Sequence, residues 1–149
     1  MRILIQRVNK ASVSVDGESV GSIGRGMLVF LGVKNGDTKA EADFLAKKCL
    51  GLRIFSDSDG KMNLGLGDVH GQLLVVSQFT LYGDARKGCR PSYIEAAPQP
   101  ASEPLYEYFI QRLKDAGADV QAGKFGADMA VELINDGPVT IIIDKDKQA

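Results

Sequence analysis

What most constrains this chain is the length of its apolar runs. Met27-Leu28-Val29-Phe30-Leu31, Leu73-Leu74-Val75-Val76 and the β-branched stretch at 139–143 are each about one strand long. Unbroken apolar runs of that length, bounded by turn residues, read as strands buried on both faces. None approaches the roughly 20 residues that a helix needs to cross a bilayer. Elsewhere the period is two: Ile3 and Ile5, then Val13 and Val15 flanked by Ser12 and Ser14, alternate as half-buried strands do. Such a chain organises itself around a sheet.

The opening residues Met1-Arg2-Ile3-Leu4-Ile5-Gln6-Arg7 contain an apolar run of only three, whereas a secretion signal needs roughly 7 to 15. A cytoplasmic protein without membrane attachment is expected. At 149 residues the chain has the size of one domain with its own core. Its 44% hydrophobic and 25% charged residues exclude a disordered, collagenous or coiled-coil chain. A net charge of −1 creates no global attraction for phosphate, so any nucleic-acid contact has to be local. Cys49 and Cys89 are far apart and form no CxxC pair, which reads as two reduced thiols rather than a disulfide scaffold or a structural zinc. His70 is the only histidine, so one chain cannot build a multi-histidine metal site. No metal and no cofactor are expected.

Asp16-Gly17 is a hairpin turn that leads into a strand at 20–23. Thr38 and Glu41 form a capping-box pattern, and Ala42, Leu45, Cys49 and Leu52 follow at helical spacing. A second helix is expected to open near Ser102, to accept Pro104 in its first turn and to stop at Gly117; Tyr106, Phe109, Ile110 and Leu113 form its apolar face. Two strands, 129–134 and 139–143, are expected on either side of a turn at Asn135-Asp136-Gly137-Pro138. The expected fold is a single α/β domain over 1–144, with mixed, mostly antiparallel β-sheet layers and two helices packed on one face. A frayed polar tail is expected from Asp144 on, residues 145–149 lying outside the domain.

Several segments carry candidate chemistry. Asp57, Asp59 and Gly60 imitate part of a calcium loop, but the first ligand position would be Phe55 and the bidentate position Leu66, so the segment reads as a turn. His70, between glycines, reads as a solvated loop residue. Arg86, Lys87 and Arg90, with Arg7 and Lys10 nearby, would form a small basic patch. Ser77-Gln78-Phe79-Thr80 places two hydroxyls, an amide and a ring where a buried strand surfaces, and backbone N–H groups freed at a strand end can hold an oxyanion. Composition alone does not separate that site from an ordinary strand end, nor Asn135-Asp136-Gly137-Pro138 from an ordinary turn.

The motifs themselves go further. Ile5-Gln6-Arg7-Val8, Ala11-Ser12-Val13, Arg53-Ile54-Phe55-Ser56-Asp57, Gly60-Lys61-Met62-Asn63, Ser77-Gln78-Phe79-Thr80-Leu81, Arg90-Pro91-Ser92 and Asn135-Asp136-Gly137-Pro138-Val139-Thr140 occur in that order. Together they resemble the D-aminoacyl-tRNA deacylases (the D-tyrosyl-tRNA(Tyr) deacylase family) along nearly the whole chain. Cys89, where an apolar residue is expected, and a longer charged tail are the departures.

The resemblance implies hydrolysis of the ester between a D-amino acid and the 3′ end of tRNA, including glycyl-tRNA mischarged on tRNA(Ala), as translation quality control. It implies a catalytic segment Ser77, Gln78, Phe79 and Thr80, whose backbone N–H groups hold the ester while the 2′-hydroxyl of the terminal adenosine helps activate water. It also implies that a homodimer is the active unit, in which a Gly-cis-Pro dipeptide, Gly137 and Pro138, enters the partner's site and rejects L substrates. Arg7, Phe125, Met129 and Asn135 are implied to contact the substrate. The alternative is a tRNA- or ribosome-binding module without chemistry.

Overall fold

The computed structural model describes residues 1–147. Its spine is β1 (Arg2–Val15), whose alternation of apolar and polar residues lets one strand serve two cores. β2 (Glu18–Ile23) returns antiparallel on β1 through the Asp16-Gly17 turn, both residues of which have positive φ. β3 (Gly26–Gly32) then pairs with the first half of β1. After α1 (Lys39–Gly51) and a two-stranded ribbon of β4 (Phe55–Ser56) and β5 (Met62–Leu64), the chain enters β6 (Gln72–Ser77). A 3-10 turn (Phe79–Tyr82), α2 (Gln99–Asp115), β7 (Asp119–Ala122) and β8 (Ala130–Asp144) complete it.

β6 lies parallel to both β3 and β7, and every pairing of β1 is antiparallel. The run 27–31 is therefore an interior strand, as its apolarity requires. Gly26 starts it because β6 passes too close for any side chain: a Cβ there would sit 1.8 Å from the carbonyl oxygen of Gln72. One face of the sheet, with Ile3, Ile5, Met27, Val29, Leu73 and Val75, packs under both helices, which contribute Leu45, Cys49, Tyr106, Phe109 and Leu113. The other face carries a smaller core of Val8, Ala11, Val13, Ile23, Leu28, Leu74 and Val76. The mixed, mostly antiparallel α/β domain with two helices is what the chain forms.

Three expectations need correction, and three short strands were not expected at all. The turn expected at 135–138 joins no hairpin: 130–144 is one continuous strand paired along β1. The long partner supplies the reason, since β1 offers an unbroken edge that the strand can follow past an irregularity. α2 begins at Gln99, three residues before Ser102, because Pro100 fits a first turn where no N–H is required; Pro104 is consequently inside the helix. β7 and the β4–β5 ribbon are too short to show a period. Finally, Asp144 and Lys145 are not frayed: Asp144 holds the Arg2 guanidinium and the Lys145 N–H donates to the carbonyl of Met1 at 2.9 Å. Residues 148–149 of the expected tail lie outside the described residues.

Candidate active site

β6 carries four consecutive buried residues and ends at Ser77, its parallel ladder to β3 closing at the Leu31–Ser77 pair. The Gln78 N–H still reaches the Leu31 carbonyl at 2.8 Å, after which the chain winds into the 3-10 turn. The Leu81 N–H donates to Gln78 (3.2 Å) and that of Gly83 to Thr80 (2.9 Å). Among the described residues the N–H groups of Phe79 and Thr80, which open the turn, find no acceptor, as the first donors of a helix do not. The Gln78 side-chain amide donates to the Thr80 hydroxyl oxygen. Thus a core strand surfaces with two adjacent backbone donors unpaired among the described residues and the Thr80 hydroxyl engaged by the Gln78 amide.

This strand end borders a cleft of about 500 Å³. Leu31 and Val76 line it from the sheet, Tyr106 and Ser102 from α2, and Phe125 and Met129 from the segment before β8. The Tyr106 and Phe125 rings lie 5.6 Å apart. The Tyr106 hydroxyl donates to the Val75 carbonyl at 3.1 Å, and burial, helped by the nearby Glu107, pushes it up to about 12, so it remains a donor at neutral pH. Among the described residues the cleft has one carboxylate, Asp128, and no histidine, lysine or arginine. Its lining is mixed, with Leu31, Val76, Phe125 and Met129 beside Ser77, Gln78, Gln99 and Ser102, a chemistry suited to a flat ring joined to a polar chain.

Arg7, Asn135, Gly137 and Pro138 form a separate cluster. Between the pairs Gln6–Thr140 and Val8–Asn135, β1 contributes a single intervening residue, Arg7, while β8 contributes four, Asp136 to Val139. The excess loops out, with Gly137 and Pro138 exposed at its tip and the peptide bond between them cis. Arg7 continues the inward parity of Ile3 and Ile5, so its guanidinium is buried opposite the excursion. It donates to the Ile54 carbonyl (2.7 Å) and the Asp136 carbonyl (3.2 Å) and pairs with the Asp136 carboxylate at 2.9 Å. The Asn135 amide closes the base of the loop by donating to the carbonyls of Arg7 (3.0 Å) and Val139 (3.1 Å). A polar clamp inside the protein therefore presents a bare dipeptide outside it.

The expected residues thus fall into two groups. Ser77, Gln78, Phe79, Phe125 and Met129 line the cleft and Thr80 adjoins it, whereas Arg7, Asn135, Gly137 and Pro138 do not line it. Arg7 is also absent from any basic patch, being buried and paired. Asp57 organises its own turn, accepting from the N–H groups of Asp59 and Lys61 and from Asn63. Among the described residues no three of His, Cys, Asp or Glu approach closely enough to share a metal ion, and no helix is long and apolar enough to cross a membrane. Sequence reasoning missed Ser102, Gln99 and Asp128; only the short spacing of Asp128 and Met129 hinted at a lining role.

With this geometry in hand, comparison with known proteins is decisive. A family model for D-Tyr-tRNA(Tyr) deacylase matches residues 4–144. The chain belongs to that family. It is 54% identical to a D-aminoacyl-tRNA deacylase of Thermotoga petrophila, covering 99% of each chain. It is 57% identical to one from Thermomicrobium roseum, covering 97% of this chain and 94% of the relative. Among solved structures, one described as a c-Myc DNA unwinding element binding protein superposes with a TM-score of 0.93 at 39% identity, covering 99% of this family member and 100% of the other chain. A probable eukaryotic D-amino acid tRNA deacylase matches at 0.83 and 17% identity, covering 97% and 98%, which shows a shared fold.

Proposed function

We propose that this protein is a D-aminoacyl-tRNA deacylase, an ester hydrolase that frees tRNA from D-amino acids and from glycine mischarged on tRNA(Ala), in translation quality control. The observation that carries the reading is the pair of N–H groups of Phe79 and Thr80, without an acceptor among the described residues, at the strand end that borders the cleft, in a chain that family membership ties to this chemistry. The terminal adenine enters between Phe125 and Met129, where a ring and a thioether can cover its faces. The ester carbonyl then lies over the two backbone donors. Water adds to the carbonyl carbon, the oxyanion is held by those N–H groups, and the bond to the 3′ oxygen breaks as that oxygen takes the proton. The 2′-hydroxyl beside it orients the water. Thr80 is a positioning group in this scheme: Gln78 occupies its hydroxyl oxygen and no lysine or histidine lines the cleft to deprotonate it.

Chirality is read by exclusion. Many D side chains must be accepted and every L side chain refused, so the filter has to act at the α-carbon. Gly137 and Pro138, exposed and fixed from behind by Arg7 and Asn135, are that filter. They do not line the cleft of their own chain, so the active unit is a homodimer in which each subunit offers the dipeptide to the other. The alternative, a binding module without chemistry, is separated by turnover. Single-turnover hydrolysis of matched D-tyrosyl-, L-tyrosyl- and glycyl-tRNA tests the whole reading: the D and glycyl esters should be cleaved and the L ester spared. Retention of all three intact, or comparable cleavage of D and L forms, overturns it.

A further inference from the structure

The 3-10 turn at the cleft does not return to the core but opens into an exposed loop, residues 83–95. It contains Arg86-Lys87-Gly88-Cys89-Arg90, the only five-residue stretch of the chain with three cations and no acid. The loop is built rather than slack. Asp84 and Ser92 exchange two backbone hydrogen bonds of 2.8 Å across its neck. The Asp84 carboxylate accepts the Arg86 N–H at 3.0 Å and grips its guanidinium at 2.9 and 2.8 Å, which holds that carboxyl down at about 2 through the hydrogen bonds from Arg86. Arg86, still cationic, is thereby committed to its ion pair with Asp84. Lys87 and Arg90 are exposed, and among the described residues neither forms an ion pair.

The loop is also coupled to the cleft. The Tyr93 ring meets the Phe79 ring edge-on at 5.2 Å, and Phe79 lines the cleft. Gly83, at the exit of the turn, is closely packed: a Cβ there would lie 3.0 Å from both the Thr80 carbonyl oxygen and the Tyr93 ring, so the loop would have to shift slightly to admit one. The two free cations are therefore carried on a tethered platform beside the rim, on a protein whose net charge is −1.

Resting on the deacylase reading, we infer that Lys87 and Arg90 seat the phosphate backbone of the tRNA acceptor arm as it leaves the cleft. An RNA whose 3′ terminus occupies the cleft has to pass over its rim, and each phosphate met there carries one negative charge. Unpaired cations on a fixed loop hold such a backbone without reading bases. This suits an enzyme that must accept many tRNAs, and it supplies the local attraction that the overall charge does not.

The experiment compares the full-length protein with the K87A/R90A double variant on two esters, D-tyrosyl-tRNA and 3′-O-D-tyrosyl-adenosine, which keeps the reacting atoms but has no phosphate. On tRNA, kcat/KM should fall about tenfold or more, and its dependence on log salt should flatten by about 1.4 to 1.8, the loss of two phosphate contacts. On the adenosine ester it should be unchanged. The charge-conserving K87R/R90K variant should restore the tRNA value. Equal losses on both esters, an unchanged salt slope, or a shift of oligomeric state by light scattering overturns the proposal. Binding of uncharged tRNA separates it from the deacylase reading. If wild-type protein cleaves neither ester the deacylase reading falls, whereas the loop assignment falls when tRNA affinity is the same in wild type and K87A/R90A.

Discussion

The cleft and the looped-out segment of β8 are held in opposite ways. The cleft owes its shape to many apolar contacts, with strands β3 and β6 behind it and the Tyr106 and Phe125 rings beside it. The excursion at 136–139 owes its shape to one buried guanidinium and one amide, Arg7 and Asn135, which between them make four hydrogen bonds to backbone carbonyls. Dispersed packing loses stability in increments, while a single polar clamp fails as a unit. A wall that accommodates varied substrates can afford the first arrangement. A surface that excludes by position, the role proposed for Gly137 and Pro138, requires the second.

Breaking the clamp should have the largest effect. Arg7→Met keeps the apolar stem but leaves the Ile54 and Asp136 carbonyls without their donor, so a loss of about 2–4 kcal/mol is expected in urea unfolding. In the protein that remains folded, the ratio of D- to L-tyrosyl-tRNA cleavage rates should drop by at least about tenfold. An unchanged ratio would mean that the excursion holds itself and the contrast with the cleft is false. Phe125→Ala probes the other side. Removing one half-buried wall should raise KM for D-tyrosyl-tRNA by about tenfold with a smaller change in kcat, the pattern of lost uniform binding; a fall in kcat alone would place the ring at the reacting centre instead.

Thr80→Ala should be milder, below about tenfold in single-turnover rate, because the backbone donors persist. A loss on the order of 10⁴ with intact fold would instead require a covalent route through that hydroxyl. Smallest is Tyr106→Phe. The Val75 carbonyl that loses its hydroxyl partner keeps the Gly123 N–H at 2.9 Å, so about 0.5–1 kcal/mol of stability should be lost, with little change in rate. A cost well above that range would show that the cleft, too, depends on a single polar contact.

How far the chain could be read from its sequence follows the same division. The strands β2, β3 and β6 and α1 were legible because apolar periodicity and the Thr38–Glu41 capping box are local signals; Glu41 accepts from both the Thr38 N–H and hydroxyl as that pattern requires. Ser77-Gln78-Phe79-Thr80 was legible as a strand surfacing. The nature of Asn135-Asp136-Gly137-Pro138 was not, since the residues that make a hairpin turn also make an excursion within a strand, and what distinguishes them is β1, more than a hundred residues earlier. Arg7 was similarly opaque: a charged residue next to Gln6 reads as surface, and only its partners at Ile54 and Asp136 account for its burial. The lining residues Gln99 and Ser102 belong to a helix start that prolines moved upstream.

The pairing of β1 with β8 has a consequence in time. Arg2 faces Asp144 across a sequence separation of 142 residues, so one whole edge of the first strand stays bare while everything between is synthesised. Contacts of such range form slowly, and an unpaired edge invites association with other chains in the interval. The strand that covers it also carries the exposed dipeptide and follows directly on the Phe125 and Met129 wall. Shielding of the nascent molecule and presentation of the exposed dipeptide are therefore one event, and on the proposed reading a chain that is still vulnerable to aggregation is also one without its chiral filter.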